Sequence, residues 1–113
     1  MAKFLLLLGN PHPSTRSGSS DYEKIMKKYE SWTQELIAKG ALVSAHKLRE
    51  EGGRRLTWKD SKVMDSPYVE TKESIGGYYL LEAPDLESAT RLAQTCPILS
   101  EQFGYVEVRP VEF

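Results

Sequence analysis

Apolar and polar positions along this chain switch between a period of two and a helical period. Phe4 to Leu8 is a continuous apolar run closed by Gly9-Asn10-Pro11, the pattern of a strand buried on both faces. Ile25, Met26, Tyr29, Trp32, Leu36 and Ile37 then recur at helical spacing, with Lys24, Lys27, Lys28, Glu30 and Glu35 on much of the remaining surface. Ser20 and Glu23 form a capping box, Asp21 complements the helix dipole, and Gly40 stops the helix. Ala41 to Lys47 reads as a second strand. After the turn Glu50-Glu51-Gly52-Gly53, Arg55–Trp58 pairs with Lys62–Met64 across Lys59-Asp60-Ser61 as a small hairpin. A polar loop, Asp65 to Glu73, leads through Gly76-Gly77 into Tyr78–Ala83, the most strand-like run of all. Asp85 N-caps a second helix that turns Leu86, Ala89, Leu92 and Ala93 inward and ends at Cys96-Pro97. Tyr105 to Val111 closes the chain as a strand.

The order is β-α-β-hairpin-β-α-β, which makes residues 1–113 one α+β domain of the ferredoxin-like, split βαβ type with an inserted hairpin. Two helices cover one face of a four-stranded antiparallel sheet. The strands are nevertheless apolar on both sides, so the uncovered face asks for a partner, and a homodimer packed sheet against sheet satisfies it.

Composition narrows the class without naming it. With 40% apolar and 27% charged residues the chain is an ordinary globular protein, and no apolar run approaches the length of a membrane span. The Phe4–Leu8 run is too short for a signal-peptide core. A lone Cys96 excludes an intrachain disulfide and fits a reducing, cytoplasmic setting; it reads as a small buried hydrophobe. Net charge is uneven: residues 1–64 hold 12 Lys/Arg against 7 Asp/Glu, +5, and residues 65–113 hold 3 against 9, −6. Lys47, Arg49, Arg54, Arg55, Lys59 and Lys62 form a basic stretch best read as the solvated face of the hairpin, so a nucleic-acid partner is disfavoured. There is no P-loop, G-x-G-x-x-G or H-E-x-x-H, and the two histidines and one cysteine lack metal-ligand spacing. No cofactor and no metal are expected.

Candidate chemistry gathers around the polar loop. Asp65, at its start, is the best general base, and His46, near a strand end, is a partner for acid or base work. Glu70 and Lys72 are placed to position a substrate oxygen or carboxylate, and Tyr29, Trp32 and Tyr68 to stack on an aromatic ring. The same residues also have a plain structural reading. Asp65 caps the Ser66-Pro67 turn, Glu70 and Lys72 form exposed pairs, and Tyr29 and Trp32 belong to the core.

The run DSPYVETKESIGGYYLLEAPDLESATRLAQTCP, followed by VEVRPVEF, resembles the YCII-related family, in the branch named for its Asp-Gly-Pro-Phe (DGPF) signature. The likeness covers essentially the whole chain, with Ser66 and Tyr68 where that branch usually has Gly and Phe. It implies a ferredoxin-like fold that dimerises as an α/β barrel. The wider family includes an enzyme that removes chloride from a chlorinated hydroxybenzene, and a His/Asp active site in the other branch. The signature branch is associated with sigma factors of the extracytoplasmic-function type. Two readings therefore stand side by side: a small cofactor-free enzyme acting on an aromatic or enolisable molecule by proton transfer, and a binding or regulatory module that acts through a protein partner.

Overall fold

The structure, a computed structural model, describes residues 1–9, 22–49, 52–67, 75–101 and 104–112. A four-stranded antiparallel sheet is built from β1 (Ala2–Gly9), β2 (Leu42–Lys47), β5 (Ile75–Ala83) and β6 (Tyr105–Pro110), in the order β2-β5-β1-β6. Helices α1 (Tyr22–Ala38), α2 (Leu86–Ala93) and the short α3 (Pro97–Ser100) lie on one face. β3 (Arg54–Lys59) and β4 (Lys62–Pro67) form a separate two-stranded sheet. This is the ferredoxin-like order with a hairpin inserted between the second and third strands of the main sheet. The sheet is open, with β2 and β6 as its edges, and does not close into a barrel within one chain.

Register assigns every strand residue to a face, because directly opposed residues share one. Leu6 and Leu8 of β1, Tyr79 and Leu81 of β5, and Val106 and Val108 of β6 meet Trp32, Leu36, Ala93, Cys96 and Ile98 in one core. Leu6, Leu36, Leu81 and Ile98 are fully buried, each worth roughly 2 kcal/mol of transfer free energy. The opposite face carries Leu5 and Leu7 from β1 and Tyr78 and Leu80 from β5, all half-buried, with Glu107 and Arg109 of β6 beside them.

Local chemistry sets the element ends. Gly40 takes φ +69°, and two bonds characteristic of a Schellman close join Gly40 N–H to the Ile37 carbonyl and Ala41 N–H to the Leu36 carbonyl. Asp85 caps α2 by accepting from the Ser88 N–H at 2.8 Å, which holds its carboxyl below the usual carboxylate range. Ser20 of the expected capping box, and Asp21 beside it, lie outside the described residues.

Three expectations are corrected. Asp65, Ser66 and Pro67 do not open a loop; they extend β4, pairing with Leu56, Arg55 and Arg54. Pro67 is tolerated because it ends an edge strand, where a missing N–H costs little. Ile37 and Leu86 lie on the outer flank of their helices and are half-exposed rather than core. The short connection through Gly104 that the sequence suggests between Cys96-Pro97 and the last strand holds a further helix: Pro97 starts α3, which buries Ile98, and Lys28 reaches Glu101 at 2.8 Å to tie its end to α1.

The hairpin stands apart. Its turn places Asp60 and Ser61 at φ 53° and 61°, the left-handed pair that matches strand twist, at roughly 1 kcal/mol or more per non-glycine residue. Leu56, Trp58 and Val63 share one face and are 64%, 71% and 61% exposed. Arg55, Lys59 and Lys62 lie on the other.

Candidate functional site

Where α1 crosses the β2–β5 edge of the sheet, the packing leaves a cavity of about 270 Å³. Met26, Tyr29 and Thr33 line it from α1, Leu8 from β1, Gly77 and Tyr79 from β5, and Ile98 from α3. Ala45, His46, Lys47 and Leu48 close the β2 side, with Gly76 opposite Leu48, whose N–H reaches the Gly76 carbonyl at 2.9 Å. The strands come close here because Gly77 has no side chain. A Cβ at Gly77 would sit 3.0 Å from the His46 carbonyl oxygen, so the glycine pair serves close strand approach.

The polar groups in this apolar chamber are few and ordered. Thr33 Oγ1 donates to the Tyr29 carbonyl at 2.7 Å, one turn back in α1, and lies 2.8 Å from the Tyr79 hydroxyl. The Tyr79 ring packs on Trp32 with centroids 4.5 Å apart, and Trp32 is held in turn by its indole N–H donating to Thr95 Oγ1 at 2.9 Å. The Tyr29 hydroxyl makes no hydrogen bond to another described residue. Burial pushes the Tyr29 phenol well above its ordinary range, helped by Cys96 and Tyr79 nearby. Burial raises Tyr79 as well, against a smaller opposing effect of its Thr33 contact. Both phenols are therefore protonated at neutral pH. They can hydrogen-bond a ligand oxygen and cannot serve as bases. Cys96 is fully buried, with its thiol pushed up to about 12 by burial, and so is not a nucleophile.

The sequence-derived site residues separate. Tyr29 lines the cavity; Trp32 does not, its N–H being used by Thr95 and its ring by Tyr79. His46 contributes to the wall, but a bulge in β2 between Leu42 and Ser44 reverses the strand's facing. Ala45 and Lys47 consequently face the helices, and the His46 ring lies over Tyr78 on the opposite side of the sheet, centroids 5.7 Å apart. What His46 gives the cavity is main chain. Asp65 is on the hairpin, 3.0 Å from Arg54 Nη1, and is not among the cavity's lining residues. Tyr68, Glu70 and Lys72 lie outside the described residues. Thr33, Tyr79 and Lys47 are additions the sequence reading lacked. Thr33 sits four residues after Tyr29 on the same helical face, the one signal that pointed to it. Among the described residues, no group of three or more His, Cys, Asp or Glu could hold a metal ion.

Comparison with known proteins fits this architecture. The model of the YCII-related domain matches residues 4–112. The chain belongs to the YCII-related family. An uncharacterized protein of Rhizobium meliloti (strain 1021) is 39% identical over 49 residues, a stretch that spans 43% of this chain and 40% of that relative's length. Among solved structures, 5-chloro-2-hydroxyhydroquinone dehydrochlorinase from Burkholderia phenoliruptrix AC1100, in complex with 2,5-dihydroxybenzoquinone, superposes with a TM-score of 0.54. That match covers 97% of this chain and 93% of the other at 12% identity, so the likeness is one of fold. No helix of this YCII-related chain is long and apolar enough to cross a membrane, among the described residues.

The raised phenols and thiol carry a consequence for stability. In the unfolded chain a thiol ionises at ~8.5 and a phenol at ~10, whereas burial in the folded chain keeps Tyr29, Tyr79 and Cys96 protonated beyond those values. The contribution is fully present below the unfolded values and is lost as pH climbs, because the unfolded state releases its protons first. The melting temperature should be level from about pH 6 to 8 and fall above about pH 9. The fall should be shallower in Tyr29→Phe. Calorimetry across that range checks the slope, and a wild-type curve that stays flat to pH 10.5 contradicts the burial of these groups.

Proposed function

We propose that the cavity under α1 binds a small oxygenated ring compound, and that the protein acts on it by proton transfer as a small enzyme without metal or nucleotide. One observation carries the reading: an apolar chamber of about 270 Å³ that holds protonated phenols rather than a packed side chain. An apolar cavity of roughly 150 Å³ accepts benzene, so a substituted single ring fits this one. Tyr29 offers a donor to a carbonyl or developing oxyanion, which is the group whose charge grows when a proton leaves an adjacent carbon or hydroxyl. Lys47, exposed at the rim, adds positive charge at the entrance for an anionic substituent. The His46 ring lies over Tyr78 on the far side of the sheet and Asp65 is paired with Arg54, so what the chamber itself offers the reaction is the Tyr29 donor and the Lys47 charge. The dehydrochlorinase that shares the fold was solved with a dihydroxybenzoquinone, which supports a ligand of this size and type. The DGPF branch is the natural place in the family for this chain, given its D-S-P-Y-x-E-T-K-E run.

Thermal shift against hydroxylated benzoquinones, phenols and acetophenones tests the reading. A ligand at about 100 times its dissociation constant adds roughly 2.7 kcal/mol, several degrees for a domain of this size. Wild type should shift, Tyr29→Phe should shift less, and Asp65→Asn should shift as wild type does. If no ring compound moves the melting point, the proposal fails.

The helix-free face favours assembly. We further propose a two-fold homodimer packed through Leu5, Leu7, Tyr78 and Leu80, whose paired sheets form an α/β barrel of two chains. The second reading, a module that engages a protein partner such as transcription machinery, is favoured by the exposed Leu56, Trp58 and Val63 face of the hairpin. Sedimentation velocity should give a dimer for wild type and for Trp58→Ser, and a monomer for Leu80→Glu. A wild-type monomer at tens of micromolar contradicts the sheet-face dimer.

A further inference from the structure

We infer that Thr33 sets the hydrogen-bond polarity of the cavity, so that the site selects ring compounds bearing both a carbonyl and a protonated hydroxyl over those bearing acceptors alone. The inference rests on the cavity being the ligand site, and it follows from counting protons. A threonine hydroxyl has one hydrogen. Thr33 Oγ1 lies 2.7 Å from the Tyr29 main-chain carbonyl, which can only accept, so that hydrogen is committed. The 2.8 Å contact between Thr33 Oγ1 and the Tyr79 hydroxyl then has one workable direction: Tyr79 donates and Thr33 accepts. Tyr79 is left with lone pairs and no free proton for a ligand. Tyr29, whose hydroxyl has no partner among the described residues, is left with a free donor.

The two phenols thus present opposite characters to the same small volume. A ligand carbonyl satisfies Tyr29, and a ligand O–H satisfies Tyr79. A molecule with acceptors only leaves a lone pair of Tyr79 facing a lone pair or a halogen in an apolar chamber, where an unmade hydrogen bond is costly. The arrangement is held in place. Tyr79 cannot swing freely, because its ring lies against Trp32, which is itself bonded to Thr95. Reversing the Thr33–Tyr79 bond would require Thr33 to give up its carbonyl partner. Thr33 is accordingly a positioning residue; it decides what Tyr79 offers.

The test compares 4-hydroxyacetophenone with 4-fluoroacetophenone at pH 6.5, a pair of nearly equal shape in which only the first carries a hydroxyl proton. Titration calorimetry on wild type, Thr33→Val, Thr33→Ser and Tyr29→Phe gives the affinity ratio for each. Wild type and Thr33→Ser should prefer the hydroxyl compound by about fivefold to tenfold, the scale of one net hydrogen bond. Thr33→Val keeps the shape but frees the Tyr79 proton, so the fluoro ketone should gain and the ratio should fall towards one. Tyr29→Phe should weaken both ketones alike. An unchanged ratio in Thr33→Val overturns the inference while the cavity reading stands. Failure of both ketones to bind wild type overturns the inference and the cavity reading together.

Discussion

A four-stranded sheet has two faces, and the described residues of this chain supply helices for one of them. Everything else in the molecule follows from which face each side chain takes. β5 runs down the middle of the arrangement, between β1 and β2, and its alternation sends Tyr79 and Leu81 under the helices and Tyr78 and Leu80 to the bare side. Two adjacent tyrosines therefore belong to different surfaces. Tyr79 lines a chamber under α1, whereas Tyr78 stands beside the His46 ring on the opposite, half-buried face.

The chamber exists because the packing under α1 is incomplete at its first turns. Towards the C-terminal half of α1, Trp32 and Leu36 fill the core against Leu81, Ala93 and Cys96. Towards the N-terminal half, Met26 and Tyr29 meet a sheet edge where Gly76 and Gly77 add no side chains, and the described residues leave the space open. Burying hydroxyls beside such a space has a cost unless they are bonded, and Thr33 bonds Tyr79 while its own proton goes to the helix backbone. Among the described residues, Tyr29 is the group left over. That donor is the group on which the proposed ligand site turns.

The fold was largely legible in the sequence because its signals are local. The continuous run of β1, the helical stripe of α1 with Gly40 behind it, and the Asp85 cap of α2 each depend on a few neighbouring residues. The site was less legible because it depends on register. Tyr29 was visible on the apolar stripe, but pairing it with Thr33 and Tyr79 needs the crossing of α1 over β5. His46 shows the difficulty best: plain alternation from Leu42 turns it towards the helices, and the bulge at Val43 turns it away. Asp65 misled for a related reason, since the Ser66-Pro67 pair that suggests a turn instead ends an edge strand, and Arg54 takes up the carboxylate. Leu86 and Ile37 show that periodicity alone overestimates how wide a helix face the core covers.

The most direct measurement uses the two neighbouring tyrosines as reporters of their two faces. Chain labelled with ¹³C at the tyrosine Cζ positions is observed by NMR before and after addition of 2,5-dihydroxybenzoquinone. The account predicts that the Tyr29 and Tyr79 resonances move with saturating dependence while Tyr78 and Tyr105, on the helix-free side, stay in place. Movement of Tyr78 and Tyr105 with Tyr29 and Tyr79 unchanged would put the ligand on the other face of the sheet and contradict it.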